Sequence, residues 1–358
     1  MPSPSDRSEP AGQNKEPHAV KREAADSRGC GAKPRKKRRV RFLYTPCVRI
    51  VFFGTPEFAV PSLEAVVAAG HGVQLVVTRP DRPAGRHMRI AAPAVVPAAR
   101  RLGLPLAQPD KLGGEEFSNR LRALAPDAAV VVAYGRLISP RVLSLPRFGF
   151  VNVHPSLLPR HRGPSPIEWA ILSGDAETGV TTMLLDEGMD TGPILLQRSS
   201  PVGPRERAPE LESRLARLGA ELLVETLVGL ARGSIAPKPQ DDALATTTGK
   251  LERRMGRIDW KSTAEELARR CRAFDPWPGL FTNFRGLRLK VHGLETSEAR
   301  PGNEEPGTVL AASMAGIAVR CGDGSVALVT EVQREGKRRI PADAFIIGER
   351  VAPGEKLR

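Results

Sequence analysis

The sequence predicts an α/β protein with a doubly wound, mostly parallel sheet, followed by a small C-terminal β-barrel of the OB type. Two observations carry the first half. Short, wholly apolar runs alternate with stretches of helical periodicity from residue 48 to about residue 231, and Gly or Pro punctuates nearly every junction. A third carries the second half: after a Pro-, Asp- and Thr-rich stretch the texture changes to several short strand-like runs separated by Gly-rich turns.

Residues 48–53 read as a buried strand ended by Gly54-Thr-Pro56, and 57–69 as a helix closed by Gly70. A second strand spans 73–78. The loop after it carries Arg79, Arg82, Arg86 and Arg89, and its Pro80, Pro83 and Gly85 argue against helix and strand alike. Helices are predicted at 93–102 and 115–125, strands at 128–133, 150–153 and 180–185. A long amphipathic helix follows at 208–231, with Leu211, Leu215, Leu218 and Leu222 on one stripe. Residues 233–249 have no periodicity and read as a linker. Beyond it come one helix, 263–274, and strand-like runs at 281–285, 287–292, 307–310, 317–320 and 326–332. The organisation expected is a basic extension (1–47), a catalytic domain (48–232), a linker (233–250) and the barrel (251–358).

The chain has 358 residues and a formal charge of +14, half of which lies in residues 1–47. That segment has too little apolar content to fold, and disorder is the expectation. Folded sequence begins at Val48, a residue that a GTG start codon encodes, so translation from Val48 is a second expectation. The basic run 33–41 reads as a nuclear signal, a nucleic-acid arm or a plain solvated tail. No stretch approaches the ~20 apolar residues of a membrane span. The four cysteines show no metal-ligand or disulfide spacing, which fits a reducing cytoplasm.

The chemistry concentrates at Asn152-Val-His154, where an amide and an imidazole two residues apart on a strand share one face. A Pro/Gly/Ser-rich loop follows, at the strand end where open α/β sheets bind ligands. Asp190 in the run 186–192 supplies a carboxylate. Asn152 is a candidate oxyanion donor and His154 a second donor or proton shuttle. Asp190 either fixes the His154 tautomer or takes a proton through water. There is no Gly-x-Ser-x-Gly elbow and no nearby Cys, so direct transfer between two bound substrates is expected. The six histidines lack a paired ligand spacing, and Gly54-Thr-Pro-Glu57 is not a dinucleotide fingerprint.

These segments resemble the folate-dependent formyltransferases. The match lies in Gly54-Thr-Pro-Glu-Phe58, Pro80-Asp-Arg-Pro-Ala-Gly-Arg86, Asn152-Val-His154-Pro-Ser-Leu-Leu-Pro159 and Asp190-Thr-Gly192. Arg257-Ile-Asp-Trp260 and Ala273-Phe-Asp-Pro-Trp-Pro278 match as well, and the Arg79–Arg89 loop with the Ile258-Asp-Trp260 region narrows the resemblance to the methionyl-tRNA formyltransferases. The resemblance runs from Val48 nearly to the C-terminus. It implies a Rossmann-like domain and an OB-like barrel, with 10-formyltetrahydrofolate as donor and methionine on initiator tRNA as acceptor. Asn152, His154 and Asp190 take the catalytic positions. Ser156, Leu157, Leu158 and Pro159 match the folate-contact segment, and Arg82, Arg86 and Arg89 belong to the loop that reaches the acceptor stem. No metal is implied, and a monomeric cytoplasmic enzyme is expected. A sugar-nucleotide formyltransferase with the same trio, or a non-catalytic RNA-binding relative, is the alternative.

Overall fold

The computed structural model describes residues 46–84, 89–112, 114–298 and 303–358. Almost all of the expected N-terminal extension lies outside them, as does Arg86.

The first half is built from β1 (Arg49–Gly54), α1 (Val60–Ala68), β2 (Gly72–Val77), β3 (Arg82–Ala84), β4 (Arg89–Ala91), α2 (Val95–Arg101), β5 (Leu106–Ala107) and α3 (Glu115–Leu124). It continues through β6 (Ala128–Val132), α4 (Pro140–Leu143), β7 (Phe150–His154), α5 (Pro166–Ser173), β8 (Glu177–Leu184), β9 (Ile194–Pro201) and α6 (Ala208–Arg232). Seven strands form one sheet in the order β5-β2-β1-β6-β7-β8-β9. The pairs from β5 to β7 are parallel, and β7–β8 and β8–β9 are antiparallel. The mostly parallel sheet is therefore as expected. Strand β9 was not anticipated, nor were α4 and α5.

Wholly apolar strands are explained by burial on both faces. On one face, Val151 and Val153 of β7 join a core with Leu63 of α1, Val95 of α2 and Leu211, Leu215 and Leu222 of α6. On the other, Phe53, Phe117, Tyr134 and Phe150 form a second cluster, with Phe53 and Phe150 centroids 5.5 Å apart. Helix α6 lies close to the sheet because of Gly219. A Cβ there would come within 2.8 Å of Val153 Cγ1.

One expectation is corrected after β2. The arginine-rich segment includes a two-stranded antiparallel ribbon, with Arg82 opposite Ala91 and Ala84 opposite Arg89. Pro83 is compatible with it because a ribbon of two strands leaves outer edges that need no N–H donor.

The second half comprises α7 (Ala264–Ala273), β10 (Leu280–Phe284), β11 (Leu287–Ser297), β12 (Val309–Ser313), β13 (Gly316–Arg320), β14 (Val326–Arg334), β15 (Ile340–Pro341) and α8 (Ala342–Glu349). Its strands pair antiparallel in the order β10-β11-β14-β13-β12, with β15 on β14. The last residues link the two edges. Asn283 N–H donates to the Arg358 carbonyl (2.6 Å) at the β10 end, and Leu357 N–H donates to the Gly307 carbonyl (2.8 Å) beside β12. Trp260 is core here, buried, with Nε1 donating to Thr282 Oγ1 at 3.1 Å. The two halves share one apolar core, in which Ile167 and Ile171 of α5 join Leu267 and Cys271 of α7.

Candidate active site

The face of β7 that carries Phe150 into the second cluster carries Asn152 and His154 to the carboxyl end of the sheet. Asn152 is 9% exposed and His154 5%. Among the described residues, the Asn152 side-chain amide has no hydrogen-bond partner, although its backbone is paired within the sheet. An amide without a protein partner at a strand end has its N–H groups available to a ligand oxygen.

The imidazole of His154 is oriented by the loop that follows. Its Nε2 lies 3.0 Å from the His161 carbonyl. A carbonyl only accepts, so Nε2 carries the proton and the neutral ring leaves Nδ1 bare. His161 is itself held in three ways. Its φ is +60°, its N–H donates to Thr246 Oγ1 at 2.8 Å, and its ring Nε2 lies 2.6 Å from Asp175 Oδ2. Asp175 also accepts from Arg160 at 2.6 Å.

Asp190 reaches the site from the β8–β9 loop, with Oδ2 3.7 Å from His154 Nδ1. That distance is too long for a hydrogen bond but short enough for charge to act. Oδ2 also accepts the Gly163 N–H at 2.9 Å. Asp190 has φ +56°. Gly192 allows the loop to fold back, since a Cβ there would lie 1.9 Å from the Leu184 carbonyl oxygen. Burial pushes the His154 pKa below its ordinary value of 6.5, and the Asp190 carboxylate opposes that shift. The ring is thus neutral near pH 7, with a bare Nδ1 that gains an anionic neighbour once protonated.

The residues that follow His154 build a tight turn. Ser156 is fully buried and its hydroxyl donates to the Arg160 carbonyl at 2.7 Å. Leu158 is buried too, its N–H donating to Thr181 Oγ1 at 3.1 Å. Leu157 packs against Gly179 of β8, and the Leu158–Pro159 peptide is cis. The side chains of Ser156 and Leu158 are thus buried in the turn that follows β7. Of the arginines, Arg79 is spent on the Tyr134 carbonyl (2.9 Å) and the Gly135 carbonyl. Arg82 is exposed on β3, and Arg89 lies on β4.

Two groups of residues escaped sequence reasoning. A cavity of about 460 Å³ is lined by Asp110, Leu112, Arg136, Leu137, Ile138, Ser139, Pro140 and, from the β8–β9 loop, Glu187. Leu137 is 88% exposed in it. Its only sequence signal is an apolar pair placed just past a strand end. The second group is the segment 233–250, which is not a free tether. Arg162 N–H donates to Thr246 O and Thr248 N–H to Arg162 O, both at 2.8 Å. Trp169 Nε1 donates to Gly249 O at 2.8 Å.

A family model described as formyl transferase matches residues 48–227, and one described as formyl transferase, C-terminal domain, matches 250–350. Over 311 residues the chain is 47% identical to a methionyl-tRNA formyltransferase of Acidobacterium capsulatum, covering 87% of this chain and 99% of that one. A methionyl-tRNA formyltransferase of a Roseiflexus species is 49% identical over 311 residues, with 87% and 95% covered. The chain belongs to the methionyl-tRNA formyltransferase family. Among solved structures, HypX from Aquifex aeolicus, in complex with tetrahydrofolic acid, aligns with a TM-score of 0.57 at 20% identity. That alignment covers 85% of this chain and 47% of HypX, and it speaks to the fold alone. Membership agrees with the architecture found here, an α/β sheet domain followed by an all-antiparallel one.

Proposed function

We propose that the chain transfers a formyl group from 10-formyltetrahydrofolate to the α-amino group of methionine on initiator tRNA, releasing tetrahydrofolate. The observation that carries the chemistry is the pairing of an unpartnered amide, Asn152, with an imidazole whose bare Nδ1 faces Asp190. As the neutral amine attacks the formyl carbon, the carbonyl π electrons move onto oxygen, where Asn152 N–H donates to the developing charge. The amine proton goes to Nδ1 of His154, and Asp190 steadies the imidazolium formed. That proton is then available to N10 as its bond to the formyl carbon breaks. No covalent enzyme intermediate is needed.

The residues present suit a folate. The cavity along Arg136–Pro140 shares the β8–β9 loop with Asp190 and presents apolar walls with a few polar groups, the pattern of a small-molecule site. We place the donor's ring system there, and we assign it the turn Ser156–Pro159 as a further contact. On the acceptor side, Arg82, Arg86 and Arg89 are assigned to the tRNA backbone, because guanidinium groups clustered in one segment of the sequence suit phosphate. No helix among the described residues is long and apolar enough to cross a membrane. We assign the enzyme to the cytoplasm, where translation takes place, and expect a monomer.

The test is formyl transfer from 10-formyltetrahydrofolate to charged initiator tRNA, run beside a sugar-nucleotide amine. Transfer to the tRNA alone is expected. Transfer only to the sugar, or to neither, overturns the reading.

A further inference from the structure

The segment joining the two domains carries one side chain that touches both loops of the active site. Gln240 Nε2 donates to the backbone carbonyls of Asp190 (2.8 Å) and Gly192 (2.7 Å). Its Oε1 accepts from Arg162 Nε at 2.9 Å. Arg162 is buried, a second arm reaches Asp242 Oδ1 at 2.7 Å, and its neighbour Gly163 gives its N–H to the Asp190 carboxylate. One amide therefore fastens the backbone of the carboxylate loop to the loop whose His161 carbonyl orients His154.

We propose that Gln240 is a positioning residue that sets the separation of Asp190 from His154, acting through Arg162 and the Asp190 backbone. This rests on the catalytic roles given above to His154 and Asp190. A primary amide suits the task uniquely among side chains of this length, because it offers two N–H donors to two carbonyls and one acceptor to a guanidinium. Glutamate keeps the acceptor but sets a carboxylate against two carbonyl oxygens. Leucine keeps the bulk and loses all three bonds.

The test compares wild type, Gln240→Leu, Gln240→Glu, Asp190→Asn and the double variant Gln240→Leu/Asp190→Asn in the full-length chain. Both Gln240 variants are expected to lose about tenfold to a hundredfold in kcat, the scale of a small displacement of reacting groups. KM for the folate is expected to stay within about threefold. The acid limb of the kcat–pH profile is expected to move in the direction seen for Asp190→Asn. The double variant is expected to be no slower than Asp190→Asn alone, because Gln240 acts through that carboxylate. A kcat within about twofold of wild type in both Gln240 variants, or fully multiplicative losses in the double variant, overturns the proposal. If Gln240→Leu does not fold, Gln240→Glu decides alone, by its kcat and by its pH profile. If wild type fails to formylate Met-tRNA, the functional reading has failed. If wild type formylates and the Gln240 variants match it, only the positioning role has.

Discussion

Asn152 and His154 sit two residues apart on one strand, yet the structure gives them different tasks. The amide is unpartnered among the described residues, so its work is donation to a ligand. The imidazole already donates a hydrogen bond from Nε2–H to the His161 carbonyl at 3.0 Å, so its work is acceptance at Nδ1. Asn152→Asp preserves shape and removes the N–H donors, and kcat is expected to fall by about 10²–10³, the usual cost of an oxyanion donor. Folate affinity, read by fluorescence titration, is expected to hold. The pH dependence follows from the sign of the His154 shift. Burial lowers its pKa below 6.5, and only the neutral ring accepts the amine proton. The acid limb of kcat is therefore expected below pH 6.5, and Asp190→Asn, which removes the opposing charge, is expected to move it lower still. Movement of the limb to higher pH in that variant would refute the assignment. Stability follows the same sign: it drops as pH falls through 6.5, where the unfolded chain takes up a proton that the folded ring refuses. At this scale the pairing of amide, imidazole and carboxylate was legible in the sequence. The tautomer was not, because it depends on a carbonyl seven residues further along a loop of unpatterned backbone.

Elements were legible where burial repeats. Strands β1, β6 and β7 are almost wholly interior, and their apolar runs announce it. Strand β9 is half exposed and carries Gln197-Arg198-Ser199-Ser200, so neither an apolar run nor a clean alternation marks it. Helix α5 is eight residues long, starts on a proline after Ser165 at φ +64°, and lies inside a Pro/Gly/Ser-rich stretch that reads as loop. The Thr181 hydroxyl of β8 ties the turn after β7 to β9. It donates to Ser156 O at 2.7 Å and accepts from Leu158 N–H and Gln197 Nε2. Thr181→Val keeps the shape and strands buried polar groups on the turn after β7. Urea denaturation is expected to show a loss of about 1–3 kcal/mol, the cost of an unsatisfied buried group. An unchanged midpoint would show that this hydroxyl does not hold the turn.

For the whole molecule the sequence suggested two domains and a linker, and in the described chain an apolar core running through α5 and α7 and a joining segment hydrogen-bonded to both catalytic loops hold them together. Composition could not reveal this, since hydrogen bonds from Thr246, Thr248 and Gln240 look like ordinary polar linker chemistry until their partners are known. The same scale decides how charge is used. Of the formal charge of +14, +7 lies in residues 1–47 and +4 in residues 251–358, so bulk charge says little about where tRNA is held. If the segment around β3 and β4 grips phosphates, log(kcat/KM) for Met-tRNA falls with log salt in proportion to the contacts made. Replacing Arg82, Arg86 and Arg89 by alanine is then expected to flatten that slope by about 0.7–0.9 for each lost contact. Because these arginines touch neither Asn152 nor His154 in the mechanism above, kcat at saturating tRNA is expected to hold. Removal of residues 1–47 is the matching control, and it is expected to leave the slope as it is. A slope that flattens on that removal but not in the arginine variants would move the tRNA contact from the ribbon to the N-terminal segment.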